Sequence, residues 1–364
     1  MWFILLLTAL LLALAAIVYL VRGVHRTTPF QRLGARRPLL GWLAAVAAVG
    51  LTGLFAWINV TTVIVVILHL VVFWLLCDLL ARLAGRLMKR EIPCDWRAVA
   101  ALALTAVCLG AGWFMAHHVC ETHYALTTDK PLPNGRIRLA VIGDAHLGVT
   151  LDGAAFAAQL ERVAEAAPDA VVIVGDFVDD DSRYADVAEA CRALGAMDAP
   201  GGVYFCYGNH DEGYFRHRDF TGDQLRAALE DNGIAVLADG SALIDGGWYI
   251  VGRKDRVMAG RMDAAALTAG LDASKYIVML DHQPNDYAAE AESGADLVLS
   301  GHTHGGHIFP MGQLAVMLGI NDCRYGLSRR GDTDFIVTSG ISGWAVPFKT
   351  GTYSEFAVVD VVSR

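Results

Sequence analysis

Five short stretches of this 364-residue chain end in side chains that bind metal. They are Asp144-Ala-His146, Gly175-Asp176-Phe-Val-Asp179, Gly208-Asn209-His210-Asp211, Asp281-His282 and Gly301-His302-Thr-His304-Gly305-Gly306. Singly, each has an ordinary explanation: Asp144 as a turn residue, Asn209 as a helix cap, His282 as a surface imidazole. Together they hold five of the twelve histidines, with carboxylates and an amide that are costly beside apolar runs unless partnered. Imidazole nitrogen mixed with carboxylate oxygen suits Zn, Mn or Fe, whereas calcium would take oxygen alone.

Each stretch follows an apolar run short enough to be a buried strand. "IRLAVIGD", "AVVIVGD" and "GVYFCYGNHD" alternate with helical patterns over Gly153 to Ala167 and Tyr184 to Met197. Further strands are predicted at Trp248 to Gly252, Tyr276 to Asp281, Ala295 to Ser300, Phe335 to Ser339 and Glu355 to Val362. The alternation predicts an α/β domain. In open α/β sheets, sites gather outside the carboxyl ends of the strands, so remote stretches can meet at one point. Glycines 143, 175, 208 and 301 each precede a metal-binding residue and are expected to let the backbone turn and to let metal and substrate approach.

The first 120 residues read differently. Trp2 to Val21, Leu39 to Ile58, Val60 to Leu80 and Val99 to Met115 are each about long enough to cross a bilayer, and a hairpin is expected around Asn59, Thr61 and Thr62. The predicted organisation is a four-helix transmembrane region (1–124), a linker (125–136) and a catalytic domain (137–364). The loops with Arg22, Arg26, Arg32, Arg36 and Arg37, and with Arg82, Arg86, Lys89 and Arg90, are expected in the cytoplasm, which puts the domain outside. Up to His123 the chain has ten basic and four acidic residues, leaving 19 and 34 beyond it. So acidic a second half would repel phosphate backbones and argues against a nucleic-acid partner. No C-x-x-C pair occurs among the seven cysteines, so neither a zinc knuckle nor a redox pair is indicated. His117, His118 and His123 are expected to serve at the membrane boundary rather than as ligands.

The motif series D-x-H, G-D-x-x-D, G-N-H-D, H and G-H-x-H, in this order, resembles the calcineurin-like metallophosphoesterase superfamily, over about 225 residues from Ile137. The leading helices, "SGHTHGG" and "TSGISGWAVPFKTGTYSEF" resemble its bacterial membrane-anchored phosphodiesterase branch. The resemblance implies two β-sheets flanked by helices and two divalent cations, with Mn favoured over Zn or Fe. It also implies that Asp144, His146, Asp176 and His304 hold one cation, and Asp176, Asn209, His282 and His302 the other. Such a pair makes hydroxide near neutral pH for in-line attack on phosphorus. By the same resemblance His210 gives a proton to the leaving oxygen and Asp179 orients it. Asp180 and Glu212 stand where phosphoprotein phosphatases of the superfamily carry arginines, which points to a diester or lipid-linked phosphate. The alternatives are a pyrophosphatase resembling the UDP-diacylglucosamine hydrolases, with a cytoplasmic site, and an inactive sensor or scaffold. His307 is not expected to be a ligand. Tyr214, Phe215, His217 and Phe220, and the apolar stretch Ile308 to Ile320, are candidates for a lid or a bilayer-facing surface.

Overall fold

The computed structural model describes residues 2–213 and 218–364, with side chains from residue 11 onward. It divides into two compact units, one up to Ala111 and one of Gly112–Arg364. Helices α1 (Trp2–His25), α2 (Thr28–Gly34), α3 (Pro38–Gly50), α4 (Val60–Met88) and most of α5 (Cys94–His117) make up the first unit, with a 3-10 turn, Leu51–Trp57, continuing α3. Pro38–Trp57, Val60–Met88 and Cys94–His117 are long and apolar enough to cross a membrane. The described part of α1, Leu11–His25, meets that measure only together with α2, from which it is bent by 80°. Leucines such as Leu43, Leu54 and Leu68 are exposed, as lipid-facing side chains are. Asn59, where a hairpin is expected, is extended and caps α4 by accepting from Thr62 N at 2.7 Å. Asp78 is paired inside its span, accepting from Arg97 Nη1 and from the Tyr19 hydroxyl, each at 2.9 Å.

The second unit is built from two six-stranded sheets. One has the order β1 (Val119–Thr128), β12 (Ser354–Ser363), β2 (Arg136–Ile142), β3 (Ala170–Val174), β4 (Val203–Cys206), β5 (Ala235–Val236). The other runs β10 (Gly326–Arg330), β11 (Thr333–Val337), β9 (Leu297–Ser300), β8 (Tyr276–Leu280), β7 (Trp248–Gly252), β6 (Gly240–Ile244). Alternation along β2 shows how they pack. Leu139 and Val141 enter the core shared with Ile250, Val278 and Leu299 of the other sheet. Ala140 and Ile142 face the opposite way, toward Phe156, Val187 and Leu225 of helices α6 (Gly153–Glu165), α7 (Tyr184–Gly195) and α8 (Gly222–Asp231). Beyond the second sheet, Leu267 of α9 (Ala264–Thr268) and Tyr287 of α10 (Tyr287–Ala291) cover Val298 and Phe335. A last short helix is α11 (Met311–Met317). The expected helix-flanked pair of sheets is what the chain forms.

Two expectations need correction. Ala125–Thr128, read as linker, are the end of β1, which pairs in parallel with β12 from Val119↔Ser354 to Thr128↔Ser363. Leu126 is buried between the sheets, and a partner more than two hundred residues away leaves no local trace in the sequence. Phe220 is not a lid residue: it is buried in the core beside α8, with Arg218 over its ring at 4.7 Å. Tyr214, Phe215 and His217 lie outside the described residues. All seven cysteines are free thiols.

Candidate metal centre

Strands β2, β3 and β4 run parallel in one sheet, and β8, β9 and β11 in the other. Asp144 and His146 follow β2, Asp176 and Asp179 follow β3, Asn209 and His210 follow β4, His282 follows β8, and His302 and His304 follow β9. These strand ends converge. Ligand atoms of Asp144, His146 and His304 lie within 4.8 Å of one another, as do those of Asp176, His282 and His302, and those of His146, Asp179 and His210. Asn209 is buried between Gly208, whose N–H goes to Asp211, and His210, whose N–H goes to Asp176 Oδ1.

Among the described residues, the backbone is most densely strained here. Asp144, His146, Asp176, His302 and His304 all have positive φ, between 36° and 68°, a conformation that costs non-glycine residues about 1–3 kcal/mol each. Neighbouring turns hold one another in place: Asp144 N donates to Gly175 O at 3.1 Å and His146 N to Asp176 O at 3.0 Å. Two of the glycines act differently from expectation. A Cβ on Gly208 would lie 2.3 Å from Asp176 Oδ1, and one on Gly301 2.6 Å from Asp144 Oδ2. They seat the carboxylates rather than clear room for substrate.

Hydrogen bonds fix how the imidazoles face. His282 Nδ1 lies 2.8 Å from Val174 O and His304 Nδ1 3.3 Å from Ser342 O. A carbonyl only accepts, so both Nδ1 atoms carry the proton and Nε2 turns a lone pair inward. His304 Nε2 stands 3.1 Å from His146 Nε2, and His282 Nε2 3.0 Å from Asp176 Oδ2. The second oxygen of Asp144 is buried with no hydrogen bond. Lone pairs aimed at lone pairs, with an orphaned buried carboxylate oxygen, fit cations between them. The donor set suits two divalent ions.

Burial pushes His302 down to about 3 and holds His304 well below its ordinary value, so both imidazoles are neutral. Asp176 is buried, with its Oδ2 facing both His282 and His146.

Residues 137–306 match the family model described as Calcineurin-like phosphoesterase. That stretch is a calcineurin-like phosphoesterase domain. A transmembrane protein with metallophosphoesterase domain from Danio rerio is 30% identical over 240 residues, covering 60% of this chain and 52% of that protein. The Bos taurus protein of the same description is 28% identical, covering 60% and 51%. An uncharacterized metallophosphoesterase of Campylobacter jejuni is 28% identical, covering 68% and 66%. The chain thus spans about half the length of the two vertebrate relatives. The matched stretch resembles metallophosphoesterases, and the helices long and apolar enough to cross a membrane agree with the names of the vertebrate relatives.

Two residues of the second unit do more than their motifs reveal. Asp211 is fully buried, and its carboxylate accepts from the backbone N–H groups of Asp176, Phe177, Val178 and Gly208 at 2.7–3.2 Å. It therefore fixes the loop after β3 to the loop after β4. Lys349, also fully buried, donates from Nζ to Ser339 O at 2.6 Å and Gly340 O at 3.0 Å. That holds the loop whose Ser342 carbonyl orients His304. An acid following G-N-H, and a Lys that is the one charged residue between Asp334 and Glu355, were the signals available. His307 is half-buried against His304, with ring centroids 5.3 Å apart, and belongs to none of the ligand groups.

Asp179 faces two imidazoles, His210 Nδ1 at 3.1 Å through Oδ1 and His146 Nδ1 at 3.2 Å through Oδ2. An Asp179→Asn substitution is therefore expected to weaken metal binding as well as the rate, each about 10–100-fold. Metal titration of the full chain by calorimetry checks this. His210→Ala, by contrast, should lower the rate with metal affinity unchanged, which separates the two contacts.

Proposed function

We propose that this protein is a phosphodiesterase acting on a membrane-proximal or lipid-linked phosphoester, with its domain outside the cytoplasm and Mn as the preferred metal. One cation would be held by Asp144, His146, Asp176 and His304, and the other by Asp176, Asn209, His282 and His302. The observation that carries this reading is the place of Asp176. Its Oδ2 lies 3.0 Å from His282 Nε2 in one group and 3.6 Å from His146 Nε2 in the other, where one carboxylate can serve both ions. Two such cations supply Lewis acidity at the phosphoryl oxygens and acidify water at neutral pH.

The chain's own residues do the rest. His210 holds Nδ1 against Asp179, which leaves Nε2 to pass a proton to the leaving oxygen. Burial pulls this imidazole down, and Asp179 and Asp176 outweigh it, so it stays protonated more readily than a free histidine. Trp344, half exposed with its ring 5.6 Å from that of His210, offers an apolar wall to an organic leaving group. Asp180 and Glu212, in place of arginines, disfavour a dianionic monoester.

The test is hydrolysis by the full chain in nanodiscs with Mn. Bis-p-nitrophenyl phosphate should be cleaved faster than p-nitrophenyl phosphate or pyrophosphate. Preference for the monoester overturns the diester reading, and metal binding without hydrolysis of any of the three favours the sensor. Sidedness needs a separate probe. Cys191 is fully buried and cannot report, whereas Asp272→Cys places a thiol on an exposed turn. Labelling from outside by an impermeant maleimide is expected; protection until the membrane is opened would favour the nucleotide-linked pyrophosphate reading.

A further inference from the structure

The stretch Ile308–Asn321 contains no charged residue, yet it is not core. Among described residues after His117, fourteen large apolar side chains are exposed, and seven of them fall between Phe309 and Ile320. Met317 is 80% and Leu318 73% exposed. One contiguous patch of this kind on a domain otherwise rich in acids calls for a partner.

Its position says which. The patch begins two residues after His307, whose ring packs on His304 of the metal centre and lies 6.5 Å from that of Trp344. The loop that holds its base is Lys349–Gly351: Thr350 and Gly351 donate their N–H groups to His307 O, and Phe309 N donates to Thr350 Oγ1. The same loop holds the end of the last membrane-spanning helix, because Lys349 N donates to Gly112 O at 2.9 Å and Thr350 Cγ2 fills the space a Cβ on Gly112 would need. In the final turns of α5, Trp113 and Phe114 are exposed and stack with His117 and His118, at 4.2 and 5.0 Å between centroids. Aromatic rings with polar neighbours at the end of a span are the mark of the bilayer interface. One short loop thus ties together the emergence of the chain from the bilayer, an uncharged apolar segment and the rim of the catalytic site.

We propose that Phe309–Ile320 is a lip inserted into the bilayer surface beside the metal centre, so that the site takes a phosphodiester borne on a lipid rather than a soluble one. This rests on the phosphodiesterase reading and narrows its substrate. The apolar side chains enter the acyl boundary, as those of interfacial helices do, and the headgroup phosphate is presented from the membrane side.

The probes are two diesters with one leaving group: phosphatidyl-p-nitrophenol within nanodiscs holding the full-length protein, and soluble bis-p-nitrophenyl phosphate. The double substitution Met317→Asp with Leu318→Asp is expected to slow cleavage of the lipid diester about tenfold and to leave the soluble diester within twofold. Unchanged cleavage of both overturns the lip. If both fall together, the pair Met317→Gln with Leu318→Gln decides, since it removes apolar surface without adding charge; a loss confined to the lipid diester supports the proposal, and an equal loss overturns it. A drop in oligomer mass by light scattering, with lipid cleavage intact, means that a second copy covers the patch and overturns it too. A parent protein that cleaves only the soluble diester overturns the lip and leaves the phosphodiesterase reading standing. One that cleaves neither overturns that reading itself.

Discussion

Asp176→Asn is expected to lower phosphodiester hydrolysis about a thousandfold and to cut bound metal from two equivalents to one or fewer. The substitution keeps an oxygen where Oδ1 accepts from His210 N at 2.8 Å, so the loop after β4 keeps its tie. What it removes is the negative charge of Oδ2, the atom facing His282 and His146. Loss of the anionic ligand proposed to serve both ions forfeits several kcal/mol of transition-state stabilisation, of which about 4 kcal/mol corresponds to the stated factor. Steady-state rates and elemental analysis of the purified full chain check it. In chelator, where no cation contributes, parent and variant should unfold within a few degrees of each other. Activity equal to the parent would show that no ion depends on this carboxylate.

Asp211→Ala should act the other way round, on the fold before the chemistry. Four backbone N–H groups from two loops end on this one carboxylate. A buried donor left without an acceptor costs about 1–3 kcal/mol, and water entering the space restores part of that. A net loss of about 4 kcal/mol lowers the unfolding midpoint of a domain this size by about 8–16 °C. Asp211→Asn keeps one oxygen and turns an amino group on the remaining N–H groups, so about half that shift is expected. Differential scanning calorimetry in chelator reads both. A shift under about 2 °C for the alanine variant would mean the loops hold without their common acceptor.

The cluster that forms the candidate metal centre was legible because its residues are chemically costly where they stand. His146, His282, His302 and His304 follow runs that are wholly buried, and few alternatives justify an imidazole there. The strands that carry them were legible too: β7 runs over the predicted Trp248 to Gly252, and β8 and β9 differ by one or two residues. Supporting residues were harder to see. Asp211 sits within a quoted motif, but its four amide partners depend on how two loops cross, which no spacing encodes. Lys349 looks like a surface cation until the fold closes over it. Gly175 makes the backbone turn that was expected of these glycines, at φ 81°, whereas the contacts of Gly208 with Asp176 and of Gly301 with Asp144 depend on the third dimension. Strand β1 was missed because its alternation is that of an edge strand and its partner is remote.

That remoteness has a consequence for the order in which the protein is made. In the finished sheet β12 lies between β1 and β2, although β1 and β2 are neighbours in the chain. Val119 pairs with Ser354, so at ribosomal speeds of about 5–20 residues per second the gap stays open for roughly 10–50 s after β1 is made. Throughout that interval the strand joined to the last membrane helix has an unpaired edge, and the slot beside it can be filled by any other extended apolar segment. The newly made chain is therefore most vulnerable to mispairing and proteolysis at the membrane surface, and the arrival of β12 ends that exposure.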